Sequence, residues 1–227
     1  MMRLTRSAAE EIVCGAGWLR TMAEPFRKTL LEHAQLQHVS AGDTIFRHGD
    51  PPGGIYGHVT GTISVHSGPL DARARPIHLA IPGGWTGEGC FLTGQPRRVE
   101  LQAVTDASVM HVPLSAMEKM AAQDPRAIRA FAVISMLATE TMVRVVYDLQ
   151  RREVGQRIAA VLHRMCGGPG VSLSLSQDML AEMTNASRQQ VNGSIRRFTG
   201  HGWLSTGYRS ITIHDPEALL QYAENGV

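Results

Sequence analysis

Four polar side chains recur at helical spacing near the C-terminus: Arg188, Gln189, Asn192 and Arg196. Arginine pairs bidentately with guanine O6 and N7, and glutamine or asparagine does the same with adenine N6 and N7, so such a row suits the edges of DNA bases. Ser187 stands just before it, where a hydroxyl can cap a helix and reach a phosphate. From Met183 to His214 there is no Asp or Glu, whereas Arg188, Arg196, Arg197, Arg209, His201 and His214 all fall there. The net charge of the chain is only +2, so placement rather than total points to a phosphate backbone as partner, a solvated arginine face being the other reading of the charge alone. Lysine is nearly absent (Lys28 and Lys119), and arginine carries the positive charge.

The elements that must position these residues read directly from the letters. A helix over Ser176 to Met183, a turn at Thr184-Asn185-Ala186 and a second helix opening at Ser187 have helix-turn-helix spacing. Ala181 is small where the helices touch, and Asn185 tolerates the left-handed conformation that the turn wants. Leu180, Ala186, Val191 and Ile195 supply the packing face. Beyond them, Trp203-Leu204-Ser205, the turn Gly207-Tyr208-Arg209-Ser210 and Ile211-Thr212-Ile213 predict a β-hairpin wing with Arg209 at its tip. The expected DNA-contacting set is Ser187, Arg188, Gln189, Asn192, Arg196 and Arg209.

Upstream, residues 8–35 are predicted helical with a break at Pro25. Short glycine-punctuated strands follow at Thr44-Ile45-Phe46, Gly57-His58-Val59, Thr62-Ile63-Ser64-Val65, Ile77-His78-Leu79-Ala80-Ile81, Leu101-Gln102-Ala103-Val104 and Ser108-Val109-Met110-His111-Val112, a pattern of a barrel or jelly roll. Asp124-Pro125 then opens a long helix running to about Glu153. Its seven-residue ladder places Ile128, Ser135, Met142 and Leu149 in one row and Phe131, Ala138 and Val145 in the other, the a/d stripe of a dimer seam. A further amphipathic helix spans Val154 to Met165 and ends at Gly167-Gly168-Pro169-Gly170. The fold class expected is α+β: an N-terminal double-stranded β-helix (jelly roll) domain over residues 1–123, a dimerisation helix over 124–153 and a winged helix-turn-helix over 154–227.

The bulk numbers are those of an ordinary globular chain: 227 residues, 43% apolar and 19% charged. The segment after Met1 has no apolar stretch behind its basic residues, and no unbroken apolar run approaches membrane-spanning length, so a cytoplasmic protein without a membrane partner is expected. Cys14, Cys90 and Cys166 lie far apart, which fits neither a disulfide framework nor a zinc finger. No nucleophile elbow, metal-spaced cluster or phosphate-cradling glycine loop is present, so no catalytic or metal-binding residue is nominated and an enzyme is not expected.

From about Leu36 to Leu220 the letters resemble the Crp/Fnr family of bacterial regulators. Ala41 to Asp50 is similar to the entry of a cyclic-nucleotide-binding β-roll, Val59 to Val65 to its next strand pair and Gly84-Trp85-Thr86-Gly87-Glu88 to the start of its phosphate-binding cassette. Val154 to Ala159, Ser187 to Asn192 and Ile211 to Asp215 resemble the hinge, recognition helix and wing. The resemblance implies a sensory barrel in which Glu88 takes the ribose-binding role and Arg97 the phosphate-gripping one. Arg98 stands where the family has a small hydroxyl residue, which crowds a cyclic phosphate but offers a second cation to a more anionic ligand. On the recognition helix, Gln189 replaces a frequent Glu and Gly193 a later Arg. Of the family's other sensors, an iron-sulfur centre needs a cysteine cluster where only Cys14 lies; His58, His66 and His78 are the haem-ligand candidates. The purely structural alternative for Glu88 is a carboxylate that caps nearby backbone amides.

The resulting expectation is a homodimeric regulator reading an inverted repeat in double-stranded DNA, with RNA polymerase as a further partner candidate. The sequence establishes no cofactor; a cyclic nucleotide or another anionic small molecule is the candidate effector, with Glu88, Arg97 and Arg98 as the candidates to hold it. Two other readings stay open: a constitutive regulator with a ligand-free barrel, and a true cyclic-nucleotide-dependent one. A non-DNA cyclic-nucleotide module would not need the helix-turn-helix.

Overall fold

The computed structural model describes residues 4–69 and 72–226; the first three residues of the N-terminal segment, Leu70, Asp71 and Val227 lie outside the described residues. Two compact units result. One holds the described residues up to Ala74 together with Ala80–Thr141, and the other holds Arg75–Leu79 and residues 142–226.

The first unit opens with α1 (Arg6–Gly15), α2 (Gly17–Arg20) and α3 (Glu24–His33). The Thr5 hydroxyl caps α1 by accepting from the Ala8 amide at 3.3 Å. Pro25 marks the break between helices: the interruption falls just before it, and it sits in the first turn of α3, where its missing N–H has no partner to lose. Trp18 is fully buried against Phe26, Trp85 and Phe131, and its indole N–H donates to the Ala130 carbonyl at 2.8 Å.

The strands follow as β1 (Gln35–Val39), β2 (Thr44–Phe46), β3 (Ile55–Thr60), β4 (Ile63–Ser67), β5 (Arg75–Leu79) and β6 (Trp85–Thr86), then α4 (Gly89–Thr93), β7 (Glu100–Ala103) and β8 (Ala107–Val112). One antiparallel sheet runs β1-β8-β3-β6, and β2, β7 and β4 lie side by side in the other. Phe46, Ile63, Leu101, Ala103, Ala107 and Val109 join the two sheets in one buried cluster, which makes this the expected jelly roll. β1 was not predicted because Leu36 and Val39 are its only strongly apolar residues; pairing with β8, with His38 opposite Ser108, creates it. At Gly57 a Cβ would stand 2.6 Å from the Trp85 ring, so glycine there admits the indole.

α5 (Leu114–Gln123) leads to α6 (Arg126–Leu149), about 36 Å long. The expected long helix ends four residues early, and the chain turns through 150–153 before the next helix begins. α6 is the one helix among the described residues long and apolar enough, by length and composition, to cross a membrane, although it carries Arg129, Glu140, Arg144 and Asp148. Packing within the chain divides the residues of the expected seam. Phe131 is 0% exposed, wedged edge-on against Phe26 and Phe91, and Val145 is also buried. Ser135 is likewise turned inward, to Glu88. The exposed apolar stripe instead holds Met136, Val143 and Val146, flanked by Leu137 and Tyr147. This rotates the seven-residue rows by one residue, about 100° around the helix. Of the other expected seam positions, Ile128, Ala138 and Leu149 are exposed and Met142 is half-buried.

The second unit contains α7 (Val154–Met165), β9 (Val171–Leu173), α8 (Gln177–Thr184), α9 (Arg188–Gly200), β10 (Leu204–Gly207), β11 (Ser210–Ile213) and α10 (Pro216–Asn225). β10, β11 and β9 form a three-stranded antiparallel sheet. Its core gathers Ile158 and Leu162 of α7, Leu180 of α8, Val191, Ile195 and Phe198 of α9, and Leu219 and Tyr222 of α10.

Candidate functional site

The helix-turn-helix is built by local hydrogen bonding before any tertiary contact. Ser176 caps α8 by accepting from the Met179 amide at 3.1 Å. Asn185 closes α8 in the left-handed conformation, φ 48° and ψ 52°. Ser187 and Gln190 form a reciprocal capping box at the head of α9: the Ser187 hydroxyl accepts from the Gln190 amide at 3.2 Å, and the Gln190 side-chain oxygen accepts from the Ser187 amide at 2.9 Å. With that start fixed, the 3.6-residue repeat buries Val191, Ile195 and Phe198 and leaves Arg188, Gln189 and Arg196 exposed, with Asn192 half-buried beside them. The structure thus brings Ser187, Arg188, Gln189, Asn192 and Arg196 onto one helix, the hydroxyl of Ser187 being spent on the cap.

Arg209 lies apart from α9, at the two-residue turn between β10 and β11, with a positive φ of 51° that non-glycine residues seldom adopt. Its neighbour Tyr208 is 92% exposed. Two features of this unit escaped the sequence reading. Asp178 of α8 approaches Arg188 to 3.6 Å, so the acid-free stretch of sequence is not an acid-free surface. Arg157 of α7 donates from Nε to the Thr184 carbonyl at 2.9 Å and from Nη1 to the carbonyls of Arg151 at 2.9 Å and Arg152 at 3.2 Å. It ties the segment before α7 to the turn that aims α9. In the sequence it stands within the hinge-like stretch Val154 to Ala159, with nothing local to name its carbonyl partners.

In the first unit, Glu88 and Arg97 are both buried, at 6% and 3% exposure. Glu88 makes no side-chain cap to the backbone, so the structural alternative fails; its Oε1 accepts from the Ser135 hydroxyl at 2.7 Å. Arg97 donates to the carbonyls of Gly54 at 2.8 Å and Gly87 at 3.1 Å, and its guanidinium lies 4.2 Å from the centre of the Phe46 ring. Burial, and then the charge of Arg97, lower the pKa of His111, which stacks on Tyr56. Arg98 is exposed and apart from both. The expected effector trio is therefore split: two inward-facing members already hold protein partners, and the third faces out.

The three candidate haem histidines are not brought together. His58 is buried, with Nε2 on the Gly61 carbonyl at 3.1 Å, and burial lowers its pKa. His66 meets the Ser64 hydroxyl at 2.8 Å. In the second unit, Arg164 donates to Nδ1 of His78 at 2.9 Å and to Asp148 at 2.9 Å; burial first, and the arginine charge second, push the His78 pKa down to about 4. Among the described residues no cluster of His, Cys, Asp or Glu has the geometry to hold a metal ion.

Two family models match in chain order: a cyclic nucleotide-binding domain over residues 36–124 and a Crp-like helix-turn-helix domain over residues 156–222. The CRP-like cAMP-activated global transcriptional regulator of Mycobacterium tuberculosis is 22% identical over 94% of this chain and 99% of its own length. Among solved structures, FixK2 of Bradyrhizobium japonicum superposes with a TM-score of 0.71 at 21% identity, covering 83% of this chain and 96% of that one. The c-di-GMP responsive global regulator CLP of Xanthomonas campestris gives 0.65 at 20% identity, covering 85% and 99%. The matched models cover most of the chain and carry both the β-roll and the capped helix-turn-helix described above, and the chain belongs to the Crp/Fnr family of transcription regulators.

Proposed function

We propose that the chain acts in the cytoplasm as a homodimer that reads an inverted-repeat operator in double-stranded DNA. α9 enters the major groove, Arg188, Gln189, Asn192 and Arg196 read base edges, and Arg209 meets the phosphate backbone from the wing. The observation that carries this reading is the divided face of α9: a capping box fixes its start, one side is buried to Phe198, and the other presents a row of arginines and amides. Two-fold symmetry sets the half-sites about one helical turn apart. The exposed stripe at Met136, Val143 and Val146 supports the dimer seam and needs no membrane partner. RNA polymerase is the further partner this function requires for activation.

The sensory roll is assigned to an anionic effector of the nucleotide class, in keeping with the names of the mycobacterial relative and of the Xanthomonas neighbour. Glu88 and Arg97 would hold it, on exchanging their present protein partners for the ligand. A second reading is favoured by Arg97 itself. Both of its amino groups already bond backbone carbonyls, and a regulator whose roll is closed by its own guanidinium needs no ligand to bind DNA.

Selection from a randomised duplex pool, with and without cyclic AMP, cyclic GMP and cyclic di-GMP, tests both. A palindrome enriched only with one nucleotide identifies the effector; equal enrichment without any supports the constitutive reading. Failure to enrich any duplex under every condition would overturn the DNA assignment.

A further inference from the structure

α9 contains a glycine that the folded subunit has no use for. Gly193 is the sixth of its thirteen residues, in ordinary helical conformation and exposed, and a Cβ built on it would meet nothing within 4 Å. Glycine in an exposed helix interior is less favourable than alanine because it surrenders more backbone freedom on folding. The other glycines that combine ordinary backbone with open space stand at helix ends or outside helices: Gly15 ends α1, Gly89 opens α4 and Gly167 follows α7. At Gly155, near the start of α7, a Cβ would stand 2.7 Å from the Tyr222 hydroxyl, and Gly200 merely ends its helix. Gly193 has no such neighbour, and it sits on the face that carries Gln189 one turn earlier and Arg196 and Arg197 one turn later.

We propose that Gly193 is a specificity-determining residue: its bare position lets the backbone of α9 rest against the floor of the major groove, at a base step where the group received is a thymine methyl. This inference rests on the DNA-reading function proposed above. The chemistry follows from what the position offers. Its amide and carbonyl lie within the helical hydrogen-bond ladder, so the surface left is the Cα itself, which neither donates nor accepts. The major-groove feature read by contact alone is the thymine C5 methyl. The flanking Gln189 and Arg196 then take the hydrogen-bonded readout on either side.

The test uses the full chain. An operator is first selected with the wild-type protein. Binding of wild type and of Gly193→Ala is then measured on that duplex, on copies with single thymines replaced by deoxyuridine, and on an unrelated duplex, alongside thermal melting of both proteins. Gly193→Ala is expected to melt no lower than wild type, to bind the operator about tenfold more weakly and to bind the unrelated duplex equally well. Deoxyuridine at one symmetry-related thymine is expected to weaken the wild type and to restore binding by Gly193→Ala. Equal binding of both proteins to every duplex, an equal loss on all duplexes, a lower melting temperature for Gly193→Ala, or no thymine that responds to deoxyuridine would each overturn the inference. Should the wild type select no operator, the DNA-reading function itself falls, and this inference with it.

Discussion

Nε of Arg157 donates to the carbonyl oxygen of Thr184 at 2.9 Å, across 27 residues of chain, while the same guanidinium holds the carbonyls of Arg151 and Arg152. The planar fork spans two segments that a point charge cannot span at once. One guanidinium thereby ties the segment before α7 to the turn that sets the direction of α9. Arg157→Ala is expected to lower stability by about 1–3 kcal/mol through its unpaired carbonyls, and to weaken DNA binding further than melting alone accounts for. Arg157→Lys is expected not to restore either. Melting curves and operator titrations of the two variants check this; wild-type affinity in Arg157→Ala would refute the coupling.

Arg188 has an acid beside it and a base edge as its proposed partner. Arg188→Ala is expected to cost about 1–3 kcal/mol of discrimination at one base position. Asp178→Asn, which removes the carboxylate 3.6 Å away, is expected to strengthen binding modestly on all sequences. Titrations against single-base operator variants separate the two patterns, and a uniform loss in Arg188→Ala would reduce that residue to a phosphate contact.

The rotated stripe of α6 makes opposite demands on neighbouring positions. Met136→Glu and Val143→Glu are expected to give folded monomers, because they place charge on an exposed apolar face. Phe131→Glu is expected to unfold the first unit instead, since it buries an unpaired carboxylate among Trp18, Phe26 and Phe91. Sedimentation equilibrium and circular dichroism distinguish these results.

Arg97 behaves as a strut between Gly54 and Gly87. Arg97→Ala is expected to destabilise the sensory roll by about 2–4 kcal/mol, from two unpaired carbonyls and the space left above Phe46. Chemical denaturation measures this; unchanged stability with loss of nucleotide binding would make Arg97 a ligand-gripping residue alone.

Acid is expected to destabilise the protein through His78. Its folded-state pKa is depressed, from an ordinary 6.5 to about 4, so the fold favours the neutral ring. That stabilisation is complete above about pH 6.5 and is lost as pH falls from there towards 4, where protonation sets an imidazolium against Arg164. Melting temperatures across this interval should fall more steeply for wild type than for His78→Gln; parallel curves would show that another group controls the acid limb.

The sequence alone determined the elements whose causes are local. Ser176, Asn185 and Ser187 announced both helices and the turn of the DNA-reading motif, because caps and left-handed turn residues act within four positions of themselves. The glycine-punctuated strands and the Asp124 start of α6 were legible on the same ground. Tertiary structure decided what depends on partners distant in the chain. β1 is a strand only because β8 pairs with it, and Phe131 is buried because Trp18, Phe26 and Phe91 supply a core that a seven-residue ladder cannot see. Arg97 and Arg98 are adjacent in sequence, yet one is buried beneath backbone carbonyls and the other faces out. A sequence specifies which groups are charged; the fold determines which of those charges are already satisfied.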